Sequence, residues 1–478
     1  MKQKTPRLAQ FEITEFSKEG HGVAEWQRAD GENVKVEVPF TLPGDKVLVD
    51  VLKRHKGLYQ SHFLELIESS PKRVKPICQH FGVCGGCRWQ HIEYSLQLNE
   101  KESEVYKLFE AYLTEKGRFY SILPCDPPLY YRNKMEFSFS SDKNGNRFLG
   151  LIMFGSRGKV FQMQECHLIH PWAVKVIECV SKWWEESRLD AYYGGKDSGS
   201  LRTLTVREGQ RTGDRLIMLT VSGNPDYSLS QKQLNDFVEV LRASVEPEGQ
   251  GKLSIFLRIQ QIAKGKPTQF YEMLLYGPSY LTETLYLTRR NGSIETLTFS
   301  ISPMAFFQPN TKQAEKLYAR AIELTEPSTN DIVYDLYCGT GTLGISIASQ
   351  VKEVVGIEIV PEAVLDAQEN IRKNHLTNVT VHRGDVGDVL EYFDKEKFPK
   401  PDIVMVDPPR AGLDSKAIEY ILKLKAPKLT YISCNPITQV ANLEALIKGG
   451  YFLTAVQPVD QFPQTRHVEN IIILTKHF

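Results

Sequence analysis

The alternation of apolar and polar residues divides the chain into three regions. Residues 1–70 carry short alternating runs separated by turn residues, a pattern typical of a small β-barrel with an OB-like fold. Residues 71–300 begin with clustered cysteines and continue through a predicted helix at 94–113 and several strand-like runs, which indicates an α+β domain. In residues 301–478, apolar strand runs alternate with helical segments, and Asn310 is placed to cap the first of these helices. This last pattern predicts a Rossmann-like, doubly wound parallel sheet covered on both faces, so we expect a multidomain α/β protein.

The first strand of the third region leads into a glycine-rich loop. The sequence "DLYCGTGTLG" has glycines at 339, 341 and 344, which permit a tight turn and close approach of the backbone to a ligand. Glu358 ends the next strand nineteen residues after Gly339, where a carboxylate can bind ribose hydroxyls. This spacing fits a nicotinamide dehydrogenase equally well. Asp335, inside the strand before the loop, and Asp385, which closes the third strand in "HRGD", favour S-adenosylmethionine, because its sulfonium and amine groups are cationic whereas a dinucleotide carries an anionic pyrophosphate.

The fourth and fifth strands of this region end in "DPPR" (407–410) and "SCNP" (433–436). The two prolines fix the backbone, so that Asp407 projects into the crevice at the strand ends. Amine methyltransferases often carry an aromatic residue where this chain has Arg410. Cys434 can be a small buried hydrophobe. A thiol beside a methyl donor, however, suits covalent catalysis, because carbon 5 of a pyrimidine becomes nucleophilic only after a thiolate adds to carbon 6.

Cysteines are also clustered in the second region. Cys78, Cys84 and Cys87 have the spacing C-x5-C-x2-C, and Cys166 follows in "QECHLIHP". This spacing is compatible with an iron–sulfur cluster and with a four-thiolate zinc site. The remaining thiols, at positions 125, 179 and 338, are expected to bind no metal.

Composition limits the function classes only weakly. The chain has 478 residues, with 58 basic and 58 acidic side chains, so a nucleic-acid partner can be inferred only from local patches. One such patch is Lys53-Arg54-His55-Lys56, which can follow a phosphate backbone or form a solvated hairpin tip. No apolar run predicts a signal peptide or a membrane span. We expect a cytoplasmic protein that acts as a monomer, with no membrane partner.

Five short motifs in this order carry a resemblance to a known family: "FFQPN" (306–310), "DLYCGTGT" (335–342), "DPPRAGL" (407–413), "SCNP" (433–436) and "HVEN" (467–470). Together they resemble the RNA 5-methyluridine methyltransferases, and the resemblance covers the whole chain. The N-terminal region resembles a TRAM domain, an RNA-binding module. The four clustered cysteines resemble the [4Fe–4S] ligands of the ribosomal-RNA branch of this family.

The resemblance implies a role for each candidate site residue. It implies that Cys434 is the nucleophile and Glu469 the general base, and that S-adenosylmethionine and a [4Fe–4S] cluster are the cofactors. The residues implied for the cofactor and base pockets are Gln308, Tyr337, Gly339, Gly341, Thr342, Glu358, Asp385 and Asp407. Thr342 departs from the family pattern, since some members have Asn there. His467 is the other candidate for the base.

The implied substrate is a looped or single-stranded RNA, most simply ribosomal RNA, whose target base is flipped out of its stack. Transfer RNA and a cytosine target are the alternatives within methyl transfer. A nicotinamide-linked iron–sulfur oxidoreductase and a non-catalytic RNA-binding scaffold are the rival classes. The first gives Cys434 no task, and the second predicts that Cys434 and Glu469 are replaceable.

Overall fold

The computed structural model describes residues 7–29, 31–246, 249–263, 265–396 and 398–476. The chain forms two compact units. The first comprises Met1–Lys101, Ile152–Gly158 and Phe462–Arg466, and the second comprises Glu102–Leu151, Lys159–Gln461 and His467–Phe478. None of the helices within the described ranges has the length and apolar character needed to cross a bilayer.

The first unit contains a six-stranded sheet. Its strands are β1 (Leu8–Glu12), β2 (Glu15–Phe16), β3 (Gly22–Gln27), β4 (Asn33–Val38), β5 (Lys46–His55) and β6 (Leu58–Glu68). They are ordered β1–β5–β6–β4–β3–β2, and every pairing is antiparallel except that of β4 with β6. Alternate residues of these strands pack into one apolar core that includes Phe11, Val36 and Val49. A sheet with one buried face accounts for the alternating pattern of this region.

The central part of the chain builds a second sheet and two helices that cover it. Its elements are α1 (Tyr94–Phe109), β7 (Arg118–Phe119), β8 (Lys134–Ser141), β9 (Arg147–Gly150), α2 (Pro171–Ser187), β10 (Leu201–Glu208), β11 (Arg215–Ser222), α3 (Gln231–Val245), β12 (Leu253–Gln261) and β13 (Gln269–Tyr276). The sheet order is β13–β12–β11–β10–β8–β9. Side chains from α2 and α3 share one apolar core with the sheet. The predicted helix at 94–113 corresponds to α1 followed by a 3-10 turn at Glu110–Tyr112.

The last part of the chain begins with a hairpin and a helix and then builds an eight-stranded sheet. The first elements are β14 (Leu281–Thr288), β15 (Ile294–Ile301), α4 (Thr311–Thr325), β16 (Ile332–Leu336), α5 (Thr342–Ile347), β17 (Glu353–Glu358), α6 (Pro361–Lys373) and β18 (Val379–Arg383). The others are α7 (Val386–Lys395), β19 (Ile403–Val406), α8 (Ser415–Leu424), β20 (Lys428–Ser433), α9 (Pro436–Lys448), β21 (Tyr451–Val459) and β22 (Glu469–Lys476).

This sheet has the order β18–β17–β16–β19–β20–β22–β21–β7. Strands β16 to β20 pair in parallel, and β22 runs antiparallel between β20 and β21. The predicted parallel sheet is therefore present. The antiparallel strand β22, the strand β21 and the two-residue strand β7, which comes from the central part of the chain, extend it at one side. The carboxyl ends of the parallel strands meet at one edge, which is where open α/β sheets bind their ligands.

Candidate active site

Glu469 and Cys434 become neighbours through strand pairing. Cys434 directly follows β20, and Glu469 is the first residue of β22, which pairs with β20 in antiparallel register. Ser433 lies opposite Asn470, so the next pair of positions outward is Cys434 and Glu469. The sheet thus brings the implied nucleophile and the implied base to the same end, although 35 positions separate them in the sequence.

The Cys434 thiol lies between charges of opposite sign. It is half-buried, and burial together with the carboxylates of Glu469 and Asp407 raises the pKa of its thiol to about 11. The Arg410 guanidinium acts in the other direction, because its charge and its hydrogen bond to the thiol lower the Cys434 pKa. Arg410 is therefore the side chain that favours the thiolate.

The loop that carries Arg410 is fixed by the turn that carries the cysteine. The Asn435 Nδ2 group donates to the Arg410 carbonyl at 3.1 Å, and the Thr438 hydroxyl donates to the same carbonyl at 3.2 Å. On the other side of the thiol, the Asn435 backbone N–H donates to the Ser433 hydroxyl at 3.1 Å. These bonds tie the end of the "DPPR" loop to the start of α9.

Glu469 is a buried acid with an incomplete set of hydrogen bonds. Glu469 is 2% exposed, and its Oε2 atom has no hydrogen-bond partner among the described residues. Burial first, and the Asp407 carboxylate second, raise its pKa well above the usual range, whereas Arg410 lowers it. Burial also raises the pKa of Asp407 to about 7. The pocket therefore holds two acids that favour a proton or a cationic ligand nearby.

Helix α4 and the segment before it form a further wall of this site. Asn310 caps α4 by accepting the Gln313 backbone N–H at 3.2 Å, as predicted. Gln308, two residues earlier, is 4% exposed and accepts a hydrogen bond from Gln461 Nε2 at 3.1 Å. It also bonds to the Tyr318 hydroxyl, whose pKa is raised well above its ordinary value by burial and by the nearby Asp407, Glu469 and Asp335.

The glycine loop leaves space where a ligand can lie. Gly339 and Gly341 have φ angles of 54° and 80°, which favour glycine, and Tyr337 adopts a similar left-handed conformation at 65°. A Cβ added at Gly339 would meet no atom within 4 Å, whereas one at Gly341 would lie 3.3 Å from Ala367. The Cα of Gly339 therefore faces open space beside the loop, and that of Gly341 packs against α6. Thr342 begins α5 and is 8% exposed.

Glu358 holds this loop by its carboxylate. Oε2 accepts the Gly339 backbone N–H at 2.9 Å, and Oε1 accepts that of Val360 at 2.8 Å. The carboxylate is thus fixed at the end of β17, next to the open side of Gly339. Burial raises the pKa of the Tyr337 hydroxyl, and the negative charges of Asp414 and Asp385 raise it further. Both carboxylates therefore lie near this hydroxyl.

The two further acids of the sequence argument have structural partners. Asp335 is 1% exposed, and its Oδ2 atom accepts the Gly344 backbone N–H at 2.8 Å, so it braces the loop from inside the sheet. Asp385 lies two residues beyond β18 and caps α7, with Oδ1 accepting the Gly387 and Asp388 backbone N–H groups. Asp335 thus lies inside its strand, as expected, whereas Asp385 lies two residues beyond the strand that it was expected to close.

The clustered cysteines belong to both units. Cys78, Cys84 and Cys87 lie in the first, where Gln90 accepts the Cys78 backbone N–H at 3.2 Å and donates to the Cys87 sulfur at 3.3 Å. Cys166 lies in the second unit, and burial raises its pKa while the Leu168 and Ile169 backbone N–H groups lower it. Across the described residues, no group of three or more His, Cys, Asp or Glu side chains has an arrangement that could hold a metal ion.

Three residues of the site were missed by the sequence argument, namely Arg410, Tyr318 and Gln461. Arg410 was noted only as the replacement of an aromatic residue. Its position in the loop after β19, next to the strand that the cysteine follows, was the available signal. Tyr318 and Gln461 carry no such signal, because each reaches Gln308 only through the tertiary fold.

The parallel sheet, its glycine loop and the acids at its carboxyl edge define an α/β fold of the methyltransferase class. The solved structure of Pyrococcus abyssi tRNA (uracil-54, C5)-methyltransferase in complex with S-adenosyl-L-homocysteine superimposes with a TM-score of 0.73 and 24% identity. The superposition covers 98% of this chain and 99% of that one. This likeness shows that the two chains share a fold.

Sequence comparisons identify the family. The tRNA (Uracil-5-)-methyltransferase family matches residues 253–477. An uncharacterized RNA methyltransferase of Protochlamydia amoebophila is 60% identical over 92% of this chain and 100% of its own length. Another from Chlamydia pneumoniae is 39% identical over 84% of this chain and 98% of its own. The chain belongs to the RNA methyltransferase family of these relatives, and its residues 253–477 carry the match to the (Uracil-5-) members.

Proposed function

We propose that this protein transfers a methyl group from S-adenosylmethionine to carbon 5 of a uridine in RNA, through a covalent bond between Cys434 and carbon 6. The observation that carries the proposal is the convergence of a half-buried thiol, the Arg410 cation and the buried Glu469 carboxyl at one sheet edge. A thiol placed for packing alone has no need of the other two.

The thiol supplies the nucleophile in the first step. The Cys434 thiolate adds to carbon 6, and the electron pair of the 5,6 double bond moves toward carbon 5 and the carbonyl oxygen at position 4. Arg410 stabilises the thiolate before addition, because it lowers the Cys434 pKa that burial and two acids raise. Protonation of Asp407 or Glu469, or a cation bound beside them, relieves the same repulsion and favours the thiolate further.

Cofactor binding is proposed at the glycine loop. Glu358 and Asp385 would hold the adenosine part beside Gly339 and Gly341, with Tyr337, Thr342 and Gln308 completing the pocket, and with Asp407 next to the reacting groups. When bound, S-adenosylmethionine supplies the electrophilic methyl group that carbon 5 accepts. A site lined by acids of raised pKa suits this cationic donor better than it suits a dinucleotide.

Glu469 completes the reaction in this proposal. Its carboxylate removes the hydrogen that remains on carbon 5, the 5,6 double bond forms again, and the carbon–sulfur bond breaks to release the Cys434 thiolate. A raised pKa makes a carboxylate a stronger base, and a buried oxygen without a partner is available to accept the proton. His467 is the alternative base, and the Glu469→Gln variant discriminates between the two residues.

The substrate is proposed to be a flipped-out uridine in ribosomal RNA. The cysteine motif of the second region supports ribosomal RNA, whereas the family name and the structural relative from Pyrococcus abyssi point to transfer RNA. The exposed basic residues 53–56 at the tip of the β5–β6 hairpin support an RNA-binding role for the first region, which we propose to be a TRAM domain. Mapping 5-methyluridine in the RNA of a strain lacking this gene tests the assignment. Loss of a ribosomal-RNA site supports it, and loss only of a transfer-RNA site selects the alternative.

We further propose that Cys78, Cys84, Cys87 and Cys166 bind a [4Fe–4S] cluster. Gln90 connects Cys78 to Cys87, and the sulfurs of Cys84 and Cys87 each accept an N–H donor at 3.3 Å, as sulfur ligands commonly do. The absence of a converged metal-binding group over the described residues argues in the other direction. Protein purified without oxygen should contain about four irons and four sulfides per chain. One zinc and no sulfide would contradict this proposal.

A further inference from the structure

Outside the candidate active site, a groove of about 950 Å³ runs along the solvent-facing side of α4. Its walls are the hairpin β14–β15, the loop that carries Arg211, and the segment that contains Leu123 and Asp126. We call it the α4 groove. It lies within the second unit, and none of its lining residues belongs to the candidate active site.

The α4 groove is rich in cationic side chains. Six basic residues and three acidic ones line it, and the basic ones are Arg211, Arg289, Arg290, Lys312, Lys316 and Arg320. Two of the acids are neutralised within the groove, Glu315 by Arg211 at 2.5 Å and Glu323 by Arg320 at 2.8 Å. Arg289 is likewise paired with Glu295, so the remaining positive charge lies at residues 290, 312 and 316, against the single carboxylate of Asp126.

Several of these cations have donors without partners. Lys312 is exposed and has no ion-pair or hydrogen-bond partner among the described residues. Arg290 is 79% exposed and reaches Glu326 only at 3.9 Å. Arg289 bonds to Glu295 through Nε at 2.7 Å and to the Ser346 carbonyl through Nη2 at 2.7 Å, but its buried Nη1 atom has no partner. Because the Nη1 atom of Arg289 is closed to solvent, the cations that are open to a ligand are Lys312 and Arg290.

An aromatic side chain lies among these cations. Tyr286 is 39% exposed in the wall formed by β14, and the Arg211 guanidinium lies 4.8 Å from the centre of its ring. Cations that follow a backbone, combined with an aromatic ring on which a base can stack, are the usual features of a site for single-stranded nucleic acid.

Helix α4 connects this groove to the candidate active site. Its buried face carries Tyr318, which bonds to Gln308, and its exposed face carries Lys312 and Lys316. The two sites are thus separated by about the width of one helix with its side chains, roughly 10–12 Å. A single RNA chain that places one base in the pocket can reach the groove with its flanking nucleotides.

We propose that the α4 groove binds a single-stranded segment of the substrate RNA outside the target uridine. Its phosphates lie against Lys312, Lys316 and Arg290, and one base stacks on Tyr286. This inference rests on the proposed function, since it assumes that RNA is the substrate.

The test compares two double charge reversals in the full-length protein. Lys312→Glu with Arg290→Glu removes two cations of the groove. Lys175→Glu with Lys182→Glu is the matched control, because both lysines are exposed on α2. Binding of a single-stranded oligoribonucleotide, with one uridine and flanking nucleotides on both sides, is measured between about 50 and 200 mM salt. For the groove variant we expect a Kd roughly tenfold to a hundredfold higher, and a slope of log K against log salt reduced by about 1.4, which corresponds to about 0.7 for each lost phosphate contact.

The control variant should bind RNA as the wild type does, and both variants should bind S-adenosylhomocysteine normally. At saturating concentration, a short 5-fluorouridine oligonucleotide should trap the groove variant as fast as the wild type. Tyr286→Ala should raise the Kd about tenfold, and Tyr286→Phe should not. An unchanged Kd and salt slope in the groove variant, or an equal loss in the control, overturns the inference. Failure of the wild type to modify or trap RNA refutes the proposed function instead.

Discussion

Cys434 and Cys338 occupy equivalent places in the sheet, yet their surroundings differ. Each follows a parallel strand at the carboxyl edge, Cys434 after β20 and Cys338 two residues after β16. Cys338 is 7% exposed, and its sulfur packs so closely on Gly356 that a Cβ there would lie at 2.9 Å. Burial and the carboxylates of Asp335 and Glu358 raise the Cys338 pKa well above its ordinary value.

The pKa of Cys434 is also raised by burial and by two acids, but Arg410 counteracts them and the thiol is only half-buried. Position at a strand end therefore does not make a reactive cysteine. A cation in contact and access from the crevice make the difference. Substitutions around Cys434 should therefore affect methyl transfer more than substitutions around Cys338.

The largest effect is expected from removing the thiol of Cys434. Cys434→Ala should lower methyl transfer by roughly 10⁴-fold or more, because no other group can add to carbon 6. Incorporation of labelled methyl groups into RNA measures this effect, and S-adenosylhomocysteine binding checks that the pocket is intact. Cys338→Ala is the matched control and should retain methyl transfer. Equal losses in the two variants would contradict the distinction between these thiols.

The next effect concerns Glu469. Glu469→Gln should lower turnover by about 10²–10⁴-fold, because proton removal from carbon 5 loses its base. The variant should still methylate, and then remain bonded to RNA that contains ordinary uridine. A denaturing gel should show a shifted band that carries the labelled methyl group. Normal turnover, or a block before methyl transfer, would show that this role is wrong and would turn attention to His467.

A smaller effect is expected from Arg410, and it should depend on pH. Arg410→Gln removes the cation that lowers the Cys434 pKa, so the thiolate fraction falls at every pH below that pKa. The rate of trapping by 5-fluorouridine RNA should rise with pH in both proteins, with the variant curve displaced to higher pH and about tenfold lower near neutrality for each unit of displacement. Arg410→Lys should recover part of the rate. Superimposable pH profiles would remove Arg410 from the account.

The smallest effect is expected on the Cys338 side of the sheet, at Glu358. Glu358→Ala removes the carboxylate that holds Gly339 and Val360 and that we propose binds the cofactor. Calorimetry should show S-adenosylhomocysteine binding roughly tenfold weaker, as expected for loss of a charge-assisted hydrogen bond. Glu353→Ala, at the other end of β17, is the control. Tight NADH binding by the wild type would overturn the cofactor assignment.

The sequence predicted the elements of this site better than the contacts between them. Strand and helix periodicity placed Glu358 at a strand end and Asn310 at the cap of α4, because these features depend on neighbouring residues. The inward bond of Asp335 to Gly344 and the clamp of Asn435 and Thr438 on Arg410 depend on how loops fold back. Strand β7 has only two residues, too few to show a period, so its place at the edge of the large sheet was not foreseen.

The central claim is that Cys434 forms the covalent bond to RNA, and one measurement tests it directly. Wild-type protein is incubated with S-adenosylmethionine and RNA that carries 5-fluorouridine at the target position, and the complex is digested and analysed by mass spectrometry. The account predicts a peptide containing Cys434 that bears a methylated 5-fluorouridine nucleotide, because fluorine cannot leave as a proton does. A nucleotide attached to Cys338 or to any other residue, or the absence of a covalent complex while unmodified RNA is methylated, would contradict it.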